Sequence, residues 1–259
     1  MTTLRPATTL LLKELRCYFV SPIVYVIAAV FLGLVGLLSY WAVVNASGQA
    51  LRMMQISNTY AQINLNDLVF RPVFYSLNLV LMFVLPLLTM RTFAEERKLR
   101  TFELLLTSPI GINEIVSAKF LSVFVIYLIL LVLTGLIPLV LSAYVSFNWD
   151  PIWTGFLALL LQGAFMLAIG VMASAMTENQ IIAAFLSFGI ILVIWLLGLF
   201  ATILGDTTLG HLFSYVSFTE HYDRLVRGLV NLKDVVYYLT GMGFMWFTAH
   251  QVIDAHRWK

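Results

Sequence analysis

Apolar residues in this chain come in long unbroken runs, and polar residues are confined to the short intervals between them. No run shows the alternation of a half-buried strand, so the pattern predicts helices throughout. Six runs, at 22–44, 72–90, 115–145, 152–176, 181–204 and 235–253, meet the roughly 20-residue length needed to cross a bilayer core. The third is longer than needed and should tilt or project. Pro86 and Pro138 fall inside runs and should kink them, whereas Pro151 opens a helix where its missing N–H costs nothing. The intervals at 146–151 and 177–180 are so short that runs three, four and five should be antiparallel neighbours. The first run exceeds the 7–15 apolar residues of a signal-peptide core and reads as a retained span. The predicted fold class is an all-α membrane protein, a single transmembrane domain over 1–259 with six transmembrane helices.

Three polar segments complete the pattern. In 1–21, Leu11, Leu12, Leu15, Tyr18 and Phe19 share one helical face, and Lys13, Glu14, Arg16 and Cys17 the other. That is an amphipathic helix for the membrane interface, ended by Ser21-Pro22. In 91–114, Glu95 to Arg100 is too polar to bury. Thr101 can cap a short helix carrying Glu103 in its first turn and Leu104, Leu105 and Leu106 behind it, stopped by Ser108-Pro109. Such a helix suits docking in a groove, and it equally suits a solvated loop held by ion pairs such as Glu96 with Arg100. In 205–234, Phe218, Tyr222, Leu225, Val226 and Leu229 line one face of a helix, with Glu220, Asp223, Arg224 and Arg227 opposite. Gly228 could end it and Asp234 could cap the sixth span.

Composition narrows the class. Of 259 residues, 61% are hydrophobic and 11% charged, and the mean hydropathy is +0.94, more apolar surface than a soluble sphere can hide. The net charge of +2 gives no case for nucleic acid, and a single Cys17 excludes an internal disulfide or thiolate metal cage. Orientation follows from the cations. Arg5, Lys13, Arg16, Arg91, Arg97, Lys98, Arg100, Lys119, Arg257 and Lys259 fall on one side of a six-span topology. Arg52, Arg71, Arg224, Arg227 and Lys233 fall on the other, so both termini should be cytoplasmic.

Candidate chemistry is sparse. No G-x-x-x-x-G-K-[ST] sequence occurs, and no nucleophile–base or paired-carboxylate constellation suggests an enzyme. His211, His221 and Asp223 match no recurrent metal spacing. Asn78 and Gln162 read as inter-helix hydrogen-bonding residues, and Gly241 and Gly243 as helix-packing points. Asp and Glu lie only in loops or at span ends, which argues against a carrier driven by protons or sodium. A carrier, a channel and a membrane scaffold remain alternatives.

The run from Arg91 to Lys119 resembles the cytoplasmic loop of the type-2 ABC exporter permeases, at Glu95, Glu96, Arg97, Thr101, Glu103, Leu105, Pro109, Ile115 and Lys119. Lys13-Glu14-Leu15-Arg16 with Ser21-Pro22 is similar to that family's interfacial helix. Arg100 and Ala118 stand where the family often has Gly. Phe218-Thr219-Glu220-His221-Tyr222, Arg227-Gly228 and Asp234-Val235-Val236-Tyr237-Tyr238 are similar to the gliding-motility permease group, and to its relative in nitrous-oxide-reductase maturation.

The resemblance implies an ATP-driven exporter permease of the cytoplasmic (inner) membrane. Its loop would be a coupling helix seated on a separate ABC ATPase subunit, with Glu95, Glu96, Arg97, Thr101, Glu103, Leu104, Leu105 and Pro109 as coupling residues. Lys13, Glu14 and Arg16 would belong to the interfacial helix. Phe218, Glu220, His221, Arg227 and Gly228 would belong to an outer re-entrant gate. Two permease chains as a homodimer, two ATPase copies and the lipid bilayer are the implied partners, with room for an accessory envelope subunit. This chain would bind no cofactor, ATP and Mg belonging to the ATPase.

Overall fold

A computed structural model describes residues 4–57, 66–103 and 110–257. Among these residues all regular structure is helical. The long elements are α1 (Leu4–Val20), α2 (Pro22–Ser57), α3 (Arg71–Thr89), α5 (Ile112–Thr134), α7 (Asp150–Met176), α8 (Gln180–Leu204) and α11 (Leu232–Arg257). Between them lie α4 (Ala94–Lys98), α6 (Leu136–Ser142), α9 (Thr208–Val216) and α10 (Phe218–Val226), and a π-helical turn, Asn66–Phe70, leads into α3.

Among the described residues, five helices are long and apolar enough to cross a membrane: those within Pro22–Arg52, Asn66–Lys98, Ile112–Ser142, Asp150–Met176 and Gln180–Leu204. The 26 residues of α11 have the length, about 39 Å at 1.5 Å per residue. Tyr237, Tyr238, Thr240, His250 and Gln251 dilute its apolar character.

Several boundaries differ from the sequence expectation. The first long helix does not stop near Val44 but runs 36 residues to Ser57. The stretch after Asn45 holds good helix formers such as Ala46, Gln49, Ala50 and Leu51 and no proline. At about 54 Å the helix exceeds a core of roughly 30 Å. The third span is interrupted at Gly135, between α5 and α6. Pro138 explains the position: it supplies no N–H to Thr134 and its ring crowds that residue's carbonyl. In α3, by contrast, Pro86 is accommodated within a continuous helix.

α7 is the central helix, buried along nearly its whole length from Ile152 to Ala175. It packs on α3, α5, α8, α10 and α11. Close approach depends on glycines spaced along it. A methyl group on Gly155 would meet the Phe74 ring at 2.4 Å, one on Gly163 the Tyr127 hydroxyl at 2.2 Å, and one on Gly170 Thr89 Oγ1 at 2.0 Å. Tyr127 in turn donates its hydroxyl to Leu159 O at 2.6 Å, fixing α5 to α7. Gly241 on α11 lies against Phe165 as a packing point, whereas Gly243 has open space where its side chain would be.

A polar bridge crosses this interior. Gln162 donates to Asn78 Oδ1 at 2.6 Å, joining α7 to α3, as expected of residues hydrogen-bonding between helices. Tyr238 of α11 reaches Gln162 Oε1 at 3.4 Å.

Replacing Gly163 with Leu should force α5 away from α7. Overpacking of this kind costs about 1–3 kcal/mol, so the variant should show a lower thermal midpoint in detergent, and Gly243→Leu should not.

Candidate functional site

The polar loop between α3 and α5 is built into the bundle at its base. Ser174, fully buried near the end of α7, accepts the backbone N–H groups of Phe93 at 3.0 Å and Ala94 at 3.1 Å. Its own hydroxyl donates to Met90 O at 3.1 Å. A side chain 80 residues further on thus satisfies the first orphan donors of α4, where no local capping residue is present.

Arg97 extends from α4 to the other end-group of α7, donating to Ala175 O and lying 3.9 Å from Glu178. A cation at a helix C-terminus is favoured by the exposed carbonyls there. The Phe102 ring, buried, lies 6.0 Å beneath the Arg97 guanidinium and edge-on to Phe93 at 6.2 Å.

Beneath α4 lies a buried ionic junction. Lys119 of α5 is 1% exposed. Its ammonium donates to Thr92 O at 2.6 Å and lies 2.9 Å from Glu96 of α4 and 3.3 Å from Glu14 of α1. Phe93 offers its ring face at 5.1 Å. Exposed Lys13 lies 3.8 Å from Glu14 and 3.7 Å from Glu96. Two carboxylates thus face two ammonium groups, and three separate segments of chain meet at one charge. A second apolar cluster, including Leu10, Phe93, Phe102, Ile115 and Val171, surrounds this junction.

Two sequence expectations change here. Glu14 does not lie on the solvent face of α1; the buried stripe is Leu10, Glu14 and Tyr18, while Leu12 is 64% exposed. Lys119 draws the carboxylate inward. Nor is the loop from Glu95 to Arg100 wholly solvated: Glu95, Glu96 and Arg97 are half-buried, and only Lys98, Leu99 and Arg100 are exposed. Lys13, Arg16 and Cys17 are exposed as expected.

Helix α4 ends in a tight reversal. Thr101 N–H bonds to Glu96 O at 3.0 Å and Arg100 N–H to Arg97 O at 3.1 Å, with Arg100 at φ 57°. This is the C-terminal motif that glycine ordinarily completes; a non-glycine residue there costs roughly 1 kcal/mol. The Thr101 hydroxyl points back to Glu96 O at 3.3 Å. The chain re-enters a helical turn at Phe102 and Glu103. Leu104, Leu105 and Pro109 lie outside the described residues.

The opposite end carries a second polar lock. On α10, Phe218, Tyr222, Leu225 and Val226 are buried, while Leu229, beyond the helix end, is 58% exposed rather than part of that face. Gly228 ends α10 at φ 87°, with Leu229 N–H bonded to Arg224 O at 2.9 Å. Asp234 does not cap α11; it is buried within the first turn and binds α10 instead. Its Oδ1 lies 2.7 Å from His221 Nδ1 and accepts from Arg224 at 2.6 Å. His221 is buried, stacked on Tyr237 at 4.0 Å, with Nε2 3.2 Å from Tyr215 O. Burial pushes the Asp234 carboxyl up, but its bonds to Arg224 and His221 outweigh that and hold it below the usual range. Arg227 pairs with Asp223 at 2.6 Å and Arg224 with Glu220 at 3.6 Å.

The family model described as ABC-2 family transporter protein matches residues 10–250. The chain belongs to the ABC-2 transporter family. No curated protein matches it. As an ABC-2 permease it is a multi-pass membrane component of an ABC transporter, pairs with an ATPase subunit and is not itself the catalytic part.

Sequence reasoning matched Lys119 to the family pattern without assigning it a partner, and missed Ser174 entirely. Ser174 carries no signal in a helix of small residues; only the backbone donors of Phe93 and Ala94 reveal its task.

Lys119→Met should leave Glu14 and Glu96 sharing only exposed Lys13. Breaking a buried ion pair costs about 3–5 kcal/mol, so its thermal midpoint in detergent should drop sharply. Lys119→Met combined with Glu14→Leu and Glu96→Leu should recover much of that loss. For the lock between α10 and α11, the contribution of Asp234 is present above the ordinary carboxylate value of about 3.9 and is lost as pH falls through its lowered native value. Asp234→Asn should therefore be less stable than wild type at neutral pH, with the gap in thermal midpoint shrinking on acidification below about pH 4.

Proposed function

We propose that this ABC-2 permease is the membrane subunit of an ATP-driven exporter, coupled to its ATPase through the loop between α3 and α5. One observation carries the reading: the buried Lys119 junction joins that loop to α1 and to the start of α5. A loop tied in this way moves with the helices it connects. The exposed residues Lys98, Leu99, Arg100, Thr101 and Glu103 belong to the face offered to the ATPase, and Leu104, Leu105 and Pro109, outside the described residues, are assigned to the same coupling role from the sequence. Glu95, Glu96 and Arg97 brace its base, and Lys13 and Arg16 on α1 widen the contact.

In this reading the single domain over 1–259 has six spans. Helix α11 is the sixth, and its tyrosines, Tyr237 and Tyr238, pack on Phe165 of α7. Both termini are cytoplasmic in an inner membrane, on the strength of the cation distribution. Helices α9 and α10 form the outer gate of 205–234, with Phe218, Glu220, His221, Arg227 and Gly228 in it. Two chains make a homodimer over two ATPase subunits, which hold ATP and Mg. Export as the direction, and kinship with the gliding-motility and nitrous-oxide-reductase-maturation permeases, rest on the sequence resemblance.

The pair Glu103→Arg and Leu105→Asp should abolish transport-coupled ATP hydrolysis by the assembled complex while insertion and yield stay unchanged. Wild-type ATPase activity and wild-type recovery of the ATPase subunit with that variant would overturn the coupling assignment.

A further inference from the structure

A pocket of about 70 Å³ lies where α1 meets the first turn of α2 and the end of α3. Pro22 opens α2, and Arg91 stands two residues beyond the end of α3, so the pocket sits at the rim of two membrane helices. One wall is apolar, from Ile23, Ile27 and Leu87; the other is polar, from Tyr18, Ser21, Arg91 and Glu95.

Two donors on the polar wall are unsatisfied. The Tyr18 hydroxyl is buried, in a residue 8% exposed, and has no hydrogen-bond partner among the described residues. Burial first, and then the neighbouring carboxylates Glu14 and Glu95, push its ionisation far up, so it stays a donor at any physiological pH. Arg91 Nε is also buried without a hydrogen bond. Glu95 lies 3.9 Å from it, beyond hydrogen-bond reach, and the other guanidinium end donates to Ser21 Oγ at 3.3 Å. Buried polar groups are ordinarily paired, so these two donors call for an acceptor entering from the pocket.

We infer that the pocket formed by Tyr18, Ser21, Arg91 and Glu95 binds the headgroup of a phospholipid bearing a primary amine, of the phosphatidylethanolamine class. The phosphate accepts from Arg91 Nε and the Tyr18 hydroxyl, and the ammonium donates to the Glu95 carboxylate, whose side chain is 44% exposed at the mouth. The acyl chains lie along Ile23, Ile27 and Leu87. Charge balance decides the class. Glu14, which also lines the pocket, is already neutralised by Lys119 and Lys13. The remaining charges are therefore one guanidinium and one carboxylate, matching a zwitterion. A glycerol headgroup brings no cation of its own, so its phosphate and Glu95 would both depend on Arg91, which lies 3.9 Å from Glu95, and a trimethylammonium has no N–H to donate. Glu95 and Arg91 also bracket the start of α4, so the bound lipid would steady the loop, whether or not that loop docks an ATPase.

The test uses the full chain purified in mild detergent and equilibrated with equal amounts of phosphatidylethanolamine, phosphatidylcholine and phosphatidylglycerol of identical acyl chains. Retained lipid is read by native mass spectrometry. Wild type should retain the ethanolamine lipid about fivefold over each of the others, the discrimination expected of one charge-assisted hydrogen bond. Glu95→Gln should retain ethanolamine and choline lipids equally. Arg91→Gln should retain none above the level of loosely associated lipid, and Tyr18→Phe should lower retention of all three. Equal retention by wild type, a preference for phosphatidylglycerol, or wild-type behaviour of Glu95→Gln and Tyr18→Phe would each overturn the assignment. Glycerophosphoethanolamine and inorganic phosphate should not compete at millimolar concentration; displacement by either would show a soluble phosphate site instead of a lipid site.

Discussion

A single ammonium group sets the geometry at the end of this molecule where the loop between α3 and α5 lies. Lys119 sits on α5 with 1% of its surface exposed, and a charge so placed must be surrounded by acceptors or not be charged at all. The chain supplies those acceptors from three places far apart in sequence: Glu14 on α1, Thr92 at the loop entrance and Glu96 on α4. Withdrawing any of them takes an acceptor from the buried ammonium. Helix α1, the loop and α5 are therefore held in one arrangement by electrostatics, and the apolar cluster around Phe93 and Ile115 keeps water from weakening it. The arrangement specifies geometry more than it adds stability, because desolvation offsets much of the attraction.

The other end follows the same rule with different groups. Asp234 is fully buried, and Arg224 and His221 of α10 close on it, fixing that short helix against α11. Between the two ionic sites the interior holds the neutral bridge from Asn78 through Gln162 to Tyr238. Polar specificity thus lies at the ends and at one intermediate layer, and the rest is apolar contact along α7. That helix can approach its neighbours so closely because Gly155, Gly163 and Gly170 leave room for Phe74, Tyr127 and Thr89.

Much of this plan was legible in the sequence, for physical reasons. Uninterrupted apolar runs can hardly be anything but buried or membrane helices, so five spans and most of their limits followed. Gly228 was readable as a helix end because a positive φ favours glycine. What escaped was partnership across long sequence separations. Glu14 looks like a surface residue on its own helix, and only a lysine 105 residues away turns it inward. Asp234 has the type and place of a helix cap, and the half-buried guanidinium of Arg224 claims it instead. Helical periodicity reports which face a residue occupies, not which charge waits opposite. The break at Gly135 had a cause visible in Pro138, but α3 tolerates Pro86 without one, so proline alone did not fix the outcome.

Arg100 shows how local and distant constraints combine. Its φ of 57° is a conformation that a side chain disfavours, yet the reversal it makes is required. The start of α4 is pinned by Ser174 and its flank by Arg97 on Ala175 O, both on α7, while Glu96 is held by Lys119. With the helix fixed at those points, the chain must turn back immediately for Phe102 to reach its place beside Phe93. The strain at Arg100 is small against the ionic and apolar anchoring on either side, so the turn persists without glycine. It also leaves Lys98, Leu99 and Arg100 projecting from a base that cannot yield independently. On the proposed reading, a force applied at that projection passes through Ser174 and Ala175 to α7, and through Lys119 to α5, before any local deformation can absorb it.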